Sequence, residues 1–277
     1  CINHFLKTNS LEKPDIVCSH GHTVFHDPAN GITLQVGDGE IIARKTGITC
    51  VSDFRTEDVA LGGQGAPLVP IGDELLFSDY EACLNLGGFS NISFRASGER
   101  RAFDICPVNI ILNPLANLLG KDFDKDGKIA RNGNADHYLL SKLNDLPLYS
   151  ISPRPSLARE WTEQSFMPLV EKSNASTEDK IATLTEHAAQ QIASVINQKA
   201  KGGKVLITGG GAKSKFLIER LAVLSEAEII VPNNVIIDFK EALIFAFLGV
   251  LKTNNRINIL RSVTGASHDS SSGIINI

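Results

Sequence analysis

The sequence predicts an α/β fold built as two lobes, and three observations carry that expectation. Apolar runs of strand length alternate along the chain with stretches of helical periodicity, the pattern of strands followed by helices. Two of those runs end on clustered glycines: Ala82 to Leu86 meets Gly87-Gly88, and Lys204 to Ile207 leads through Thr208 to Gly209-Gly210-Gly211. The length, 277 residues, is long for one core and suits two.

Taken in order, Ile2 to Leu11 reads as the end of a helix, closed by Lys13-Pro14. Asp15 to Cys18 is a strand running into Ser19-His20-Gly21-His22-Thr23, and Thr33 to Val36 alternates as a short strand that turns at Gly37-Asp38-Gly39. Glu40 to Lys45 is a helix stopped by Gly47, followed by a strand over Ile48 to Ser52. The glycine-rich Leu61-Gly62-Gly63-Gln64-Gly65-Ala66-Pro67-Leu68 reads as the lobe boundary, giving a first lobe over 1–61 and a second over 62–277, with the last residues returning to the first. Beyond Gly87-Gly88, Asn91 to Phe94 is a strand, and Asp104 ends a third short apolar run. Asn109 to Leu119 is helical. The clearest helix is Glu178 to Lys201, where Ile181, Leu184, Ala188, Ile192 and Val195/Ile196 share one face and Gly202-Gly203 stops the periodicity. Lys204 to Ile207 is a buried strand, Lys215 to Leu224 a helix, Glu228 to Val231 a strand and Lys240 to Lys252 an apolar helix.

A net charge of −4 and a pI near 6.0 give no electrostatic footprint for nucleic acid or an anionic membrane. No apolar run approaches the roughly 20 residues of a membrane span. Five cysteines without a CxxC pair read as free thiols in a reducing compartment, hence a cytoplasmic protein. The chain opens on Cys1, its only methionine is Met167 and no signal peptide is visible, so residues upstream of Cys1 are expected.

The chemistry concentrates around Gly87-Gly88 and Asp104. Glycines at a strand end let backbone N–H groups approach a phosphate, and a carboxylate one hairpin away can take a proton from a nucleophile or hold a metal. That pairing suggests phosphoryl transfer. Asp104 alone also fits a turn cap, and Gly87-Gly88 and Thr208-Gly209-Gly210-Gly211-Ala212 also fit tight turns. His20, His22 and His26 lack a suitably spaced fourth ligand for zinc. Asp122 to Gly133 resembles a calcium loop, with acidic residues at its first, third and fifth positions, but carries Gly133 where a bidentate Glu belongs. No metal-ligating residue is assigned.

Several blocks together resemble the anhydro-N-acetylmuramic acid kinase family, bacterial cell-wall recycling enzymes of the acetate/sugar kinase–Hsp70–actin superfamily. They are Ser19-His20-Gly21-His22-Thr23, Leu34 to Asp38, Gly47-Ile48-Thr49 with Asp53-Phe54-Arg55, and Gly62 to Leu68. They continue through Leu84-Asn85-Leu86-Gly87-Gly88, Asn91-Ile92, Phe103-Asp104, Asp124 to Gly127, Arg159-Glu160, Gly209 to Ala212, Glu241-Ala242 and Val263 to Ala266. The resemblance implies an actin-like ATPase fold with two lobes and the nucleotide in the interlobe cleft. It implies ATP- and Mg²⁺-dependent conversion of 1,6-anhydro-N-acetylmuramic acid to N-acetylmuramic acid 6-phosphate, by a homodimer. On that reading Asp104 is the base for the attacking water. Ser19, His20, Gly21, Arg55 and Glu241 face the sugar, with Arg55 on its lactyl carboxylate; a merely structural loop for Ser19-His20-Gly21, an ion pair for Arg55 and a helix-dipole role for Glu241 remain open alternatives. Gly87, Gly88, Asn91, Gly209, Gly210 and Gly211 bind ATP.

Two departures stand out. The family's opening Ser-Gly-Thr-Ser-x-Asp-Gly phosphate loop has no counterpart here. Where the family reads Asp-Thr-Gly-Pro-Gly-Asn, this chain has Asp104-Ile105-Cys106-Pro107-Val108-Asn109, and a bulkier loop there is expected to disturb contact with phosphate or sugar. Both departures favour an alternative: a degenerate, non-catalytic relative that binds nucleotide or sugar. A kinase of another sugar is a further alternative.

Overall fold

The computed structural model describes residues 1–151 and 156–277. Its strands, in chain order, are β1 (Ile16–Ser19), β2 (His22–Asp27), β3 (Ile32–Val36), β4 (Thr49–Ser52), β5 (Ala82–Leu86), β6 (Phe89–Ala96), β7 (Glu99–Pro107), β8 (Lys204–Thr208), β9 (Glu228–Ile230) and β10 (Ile274–Asn276). The chain divides into two units, one of Cys1–Leu76 with Phe239–Ile277 and one of Phe77–Asp238.

In the first unit β4 lies between β1, to which it is parallel, and the antiparallel β10, while β2 and β3 form a separate hairpin. The glycine-rich segment expected to separate the lobes belongs wholly to this unit. Asp58, fully buried, holds it there: its carboxylate accepts the Gly65 N–H at 2.7 Å and the Thr264 hydroxyl at 2.6 Å. The Gln64 N–H donates to the Thr264 carbonyl at 2.8 Å, and Ser267 N–H to that of Leu61 at 3.0 Å. Glycine here serves close packing, not flexibility: a Cβ on Gly63 would lie 2.2 Å from the Asp58 carboxylate. The chain passes from one unit to the other between Leu76 and Phe77 and returns between Asp238 and Phe239. The polar loop before β10 is similarly pinned, since buried Asn258 donates to the carbonyls of Leu248 and Ser272, and the Ser272 hydroxyl donates to the Phe54 carbonyl at 2.9 Å. Two short helices, Thr56–Ala60 and Pro70–Leu76, lacked a sequence signal.

The second unit is a five-stranded sheet in the order β7-β6-β5-β8-β9. β5 to β7 form an antiparallel meander, and β5, β8 and β9 run parallel. The helix Thr177–Lys199 buries Ile181, Leu184, Ala188, Ile192, Val195 and Ile196, the face read from the sequence. Each fully buried Leu or Ile stabilises the unit by about 1.5–3 kcal/mol. Ser176 caps the helix by accepting the Asp179 N–H at 3.1 Å.

One polar cluster interrupts that apolar interior. The ring of His187, on the same helix, is fully buried; its Nδ1 lies 2.7 Å from Asn144 Oδ1 and its Nε2 2.8 Å from the Tyr149 hydroxyl. Burial pushes its pKa down to about 3. The resemblance to a calcium loop dissolves here: both Asp124 oxygens accept backbone N–H groups, of Ile129 and Ala130, and Asp126 faces Lys215 at 3.4 Å.

Candidate active site

In the second unit the candidate residues gather at the ends of the parallel strands β5 and β8. β7 does not stop at Asp104 but continues to Pro107. The β6–β7 ladder slips between Ser90 and Asn91: Ser90 pairs with Cys106, but Asn91 pairs with Asp104, leaving Ile105 as the extra residue. Such a bulge re-aims side chains. Ile105 is fully buried in the core, and Asp104 falls into one cross-strand row with Asn91, Asn85 and Thr208, contributed by β7, β6, β5 and β8. The resemblance pointed to Asp104 and Asn91. Asn85 and Thr208 were not assigned, although an Asn between Leu84 and Leu86 in an otherwise apolar strand was a visible signal.

Asp104 accepts the Leu157 N–H at Oδ2, 2.8 Å away. Burial raises its pKa above the ordinary carboxylate value, and that one hydrogen bond partly offsets the rise. A carboxylate so placed is a stronger base than one in water.

The Gly87-Gly88 turn of the β5–β6 hairpin is fixed to the start of the helix Asn109–Leu118. Val108 and Ile110 donate their N–H groups to the Gly88 carbonyl at 2.8 and 3.2 Å, Asn109 donates to that of Gly87, and the Asn109 side chain donates to the Leu86 carbonyl. Thr208-Gly209-Gly210-Gly211 closes against the same corner. Gly209 has φ +82°, and a Cβ there would lie 2.5 Å from Asn85 Oδ1; one on Gly211 would lie 2.7 Å from the Leu86 Cβ. Those two glycines let the loop pack onto the end of β5. Gly88 and Gly210 have no such internal reason: a Cβ on either meets nothing closer than 3.7 and 3.8 Å, respectively. Glycines without an internal need, at the end of parallel strands, suit the close approach of a phosphate.

The replaced positions of the Asp104–Asn109 segment point elsewhere. Cys106 and Val108 are both fully buried in the core, and Val108 has a negative φ of −131° that needs no glycine. The Ser90 hydroxyl lies 3.0 Å from the Cys106 carbonyl and accepts the Cys106 N–H at 3.2 Å, tying the bulge in place. The added bulk of Cys106 and Val108 is directed into the core.

In the first unit His20, Arg55 and Glu241 come together. His20 follows β1, and Gly21 beside it has φ +71°, with its backbone so close to β3 that a Cβ would lie 2.7 Å from the Val36 carbonyl. Ser19 lies under Gly37, 3.6 Å from where a Cβ of that glycine would stand. The Arg55 guanidinium donates through Nε and Nη2 to His20 Nε2 at 3.0 and 2.7 Å, and through Nη1 to the Gly65 carbonyl. His20 Nδ1 lies 2.9 Å from the Gly21 carbonyl. Burial and the neighbouring guanidinium hold the His20 pKa below its usual value, while burial lowers that of Arg55 and the Glu241 carboxylate opposes the fall. Glu241 was expected at a helix N-terminus. The helix Asn234–Thr253 begins earlier, capped by the Asn233 side chain on Ile236 N–H at 3.1 Å, so Glu241 lies inside it and a terminal dipole role is excluded.

A family model for anhydro-N-acetylmuramic acid kinase matches residues 1–277. The anhydro-N-acetylmuramic acid kinase of Mannheimia succiniciproducens is 37% identical over 296 residues, covering 99% of this chain and 79% of that protein. That of Gloeobacter violaceus is 38% identical over 287 residues, covering 96% and 76%. Among solved structures, an activator of 2-hydroxyisocaproyl-CoA dehydratase from Clostridium difficile with bound ADPNP superposes with a TM-score of 0.45 at 15% identity, over 84% of this chain and 73% of that one, too loose a likeness to carry an argument. With near-complete coverage at this identity, the chain belongs to the anhydro-N-acetylmuramic acid kinase family.

Proposed function

We propose that this sugar kinase transfers the γ-phosphoryl group of ATP to 1,6-anhydro-N-acetylmuramic acid and opens the anhydro ring in the same reaction. Water adds to the anomeric carbon, the bond from that carbon to O6 breaks, O6 takes the phosphoryl group, and ADP leaves with N-acetylmuramic acid 6-phosphate as the sugar product. Asp104 takes the water's proton as charge develops on an oxocarbenium-like carbon. Asn91, paired with Asp104 across the ladder, serves the ATP side, and Asn85 lies beyond it in the same row. Gly87, Gly88, Gly209, Gly210 and Gly211 form the phosphate and adenosine side, where Gly88 and Gly210 leave room for backbone contact. Ser19, His20, Gly21, Arg55 and Glu241 form the sugar side, with the Arg55 guanidinium as counter-charge to the lactyl carboxylate.

The observation that carries this reading is the bulge that lifts Asp104 onto a polar row ending at the strand-end glycines. Among the described residues no group of three or more His, Cys, Asp or Glu side chains could hold a metal ion. Mg²⁺ would therefore arrive with the nucleotide, held by its phosphates, where it would neutralise their charge. No helix among the described residues is long and apolar enough to cross a membrane. A cytoplasmic homodimer of actin-like fold, acting on small molecules without nucleic-acid or membrane partners, completes the proposal. The non-catalytic alternative loses one of its two motives, because Cys106 and Val108 face the core.

Incubating the protein with ATP, Mg²⁺ and a panel of sugars tests the reading. Phosphorylation of the anhydro sugar in preference to ordinary hexoses supports it; turnover of hexoses alone overturns it.

A further inference from the structure

We propose that His20 is a positioning residue for Arg55 and not itself a contact to the sugar. The proposal rests on the kinase reading and assigns the division of labour within its sugar side.

The hydrogen bonding of the ring decides this. A carbonyl only accepts, so the 2.9 Å contact to Gly21 places the imidazole proton on Nδ1 and leaves Nε2 as the acceptor. Arg55 Nε and Nη2, the two donors on one edge of the guanidinium, converge on that lone pair at 3.0 and 2.7 Å. Both ring nitrogens are thus occupied within the protein. The ring is also packed against Phe245, centroids 4.6 Å apart, and Phe245 packs in turn against Phe54, the neighbour of Arg55. With its Nη1 bond to the Gly65 carbonyl, the guanidinium spends three of its five N–H groups on the scaffold, so about two remain for an anion. The partners select which two.

Such a hold requires a neutral imidazole, because a protonated ring would turn an N–H toward the guanidinium. Burial disfavours that proton most, Arg55 and His22 add to it, and the Gly21 carbonyl and Glu241 oppose them. Acidification through the His20 pKa, which lies below 6.5, releases Arg55 and weakens capture of the sugar's carboxylate.

The test is a double-mutant cycle on sugar binding and turnover, with 1,6-anhydro-N-acetylmuramic acid as the titrated ligand. His20→Phe raises the KM and Kd for the sugar roughly tenfold or more, with a smaller effect on kcat and the KM for ATP kept. In an Arg55→Ala background the same substitution changes either value by less than about twofold, because there is no guanidinium left to position. His20→Gln keeps an acceptor without a titration, so it retains much of the affinity and abolishes the rise in KM on acidification. A His20→Phe penalty of equal size in both backgrounds marks a direct sugar contact and overturns the proposal, as does the absence of any penalty. Should His20→Phe not fold, an acid rise in KM that survives in His20→Gln overturns it. A wild-type protein that neither binds nor phosphorylates the sugar brings down the kinase reading and this proposal together, whereas loss of the proposal alone leaves wild-type turnover intact.

Discussion

The backbone N–H of Leu157 donates to Oδ2 of Asp104 at 2.8 Å, from 53 positions further along the chain. Burial raises the carboxylate's pKa and this single donor partly offsets the rise, so the base strength of Asp104 is set by burial and trimmed by a main-chain group. Asp104→Asn keeps the shape and removes the base; kcat falls by roughly 10²- to 10⁴-fold while the sugar still binds. Near wild-type turnover in a steady-state assay would reduce Asp104 to a structural residue. At saturating sugar, kcat is lost as pH falls through the Asp104 pKa, on a limb above that of a free carboxylate, about 3.9. Leu157→Pro removes the donor and moves the limb further up.

The two kinds of glycine at the strand ends separate stability from binding. Gly209→Ala forces a Cβ onto Asn85 and Leu86 at positive φ, and lowers the melting temperature while leaving little folded protein to assay. Gly210→Ala meets no neighbour within 3.8 Å, so stability changes by less than about 0.5 kcal/mol, yet the KM for ATP rises. Equal KM values for Gly210→Ala and wild type would remove Gly210 from the nucleotide side.

Acid stability reports on His187. Its folded pKa, about 3, lies below the unfolded 6.5, so protons favour the unfolded chain. The stabilisation is complete above pH 6.5 and is lost as pH falls toward 3, by up to about 1.4 kcal/mol per pH unit from this group. Denaturant titrations at several pH values measure the slope. His187→Gln lowers stability at neutral pH and flattens the acid dependence; an unchanged slope would mean another group dominates.

Thr264→Val leaves the buried Asp58 carboxylate without its hydroxyl donor and costs about 1.5–3 kcal/mol, the range for hydrogen bonds to charged groups. Because that carboxylate also holds Gly65, whose carbonyl receives Arg55, the KM for the sugar rises as well. Chemical denaturation and sugar titration on one preparation read both effects.

Periodic features were legible in the sequence. The helix Thr177–Lys199 and the strand β5 follow directly from apolar spacing, since burial of one face leaves a mark every few residues. The motif blocks located His20, Arg55 and Asp104, but their partners are contacts across long separations that no local pattern encodes. The pairing of Asp58 with Thr264, the Asn109 bond to Leu86 and the Leu157 donor are of that kind. The early start of the helix at Asn234 was missed because Asn233 acts as a cap only once its side chain turns back to the Ile236 N–H. The glycine-rich stretch near Gly63 read as a lobe boundary because composition alone cannot distinguish a connection from tight packing.

Ile105 is the residue whose presence offsets β7 by one against β6. Were Ile105 instead drawn into the ladder, Asn91 would pair with it and Asp104 would move opposite Ile92, out of the polar row. The chemistry proposed for Asp104 thus depends on an irregularity that selection for robustness alone has no reason to keep. A library screened only for heat resistance is free to shift β7 into an unbroken register, whereas one screened for sugar turnover should keep Asn91 opposite Asp104 whatever else it changes.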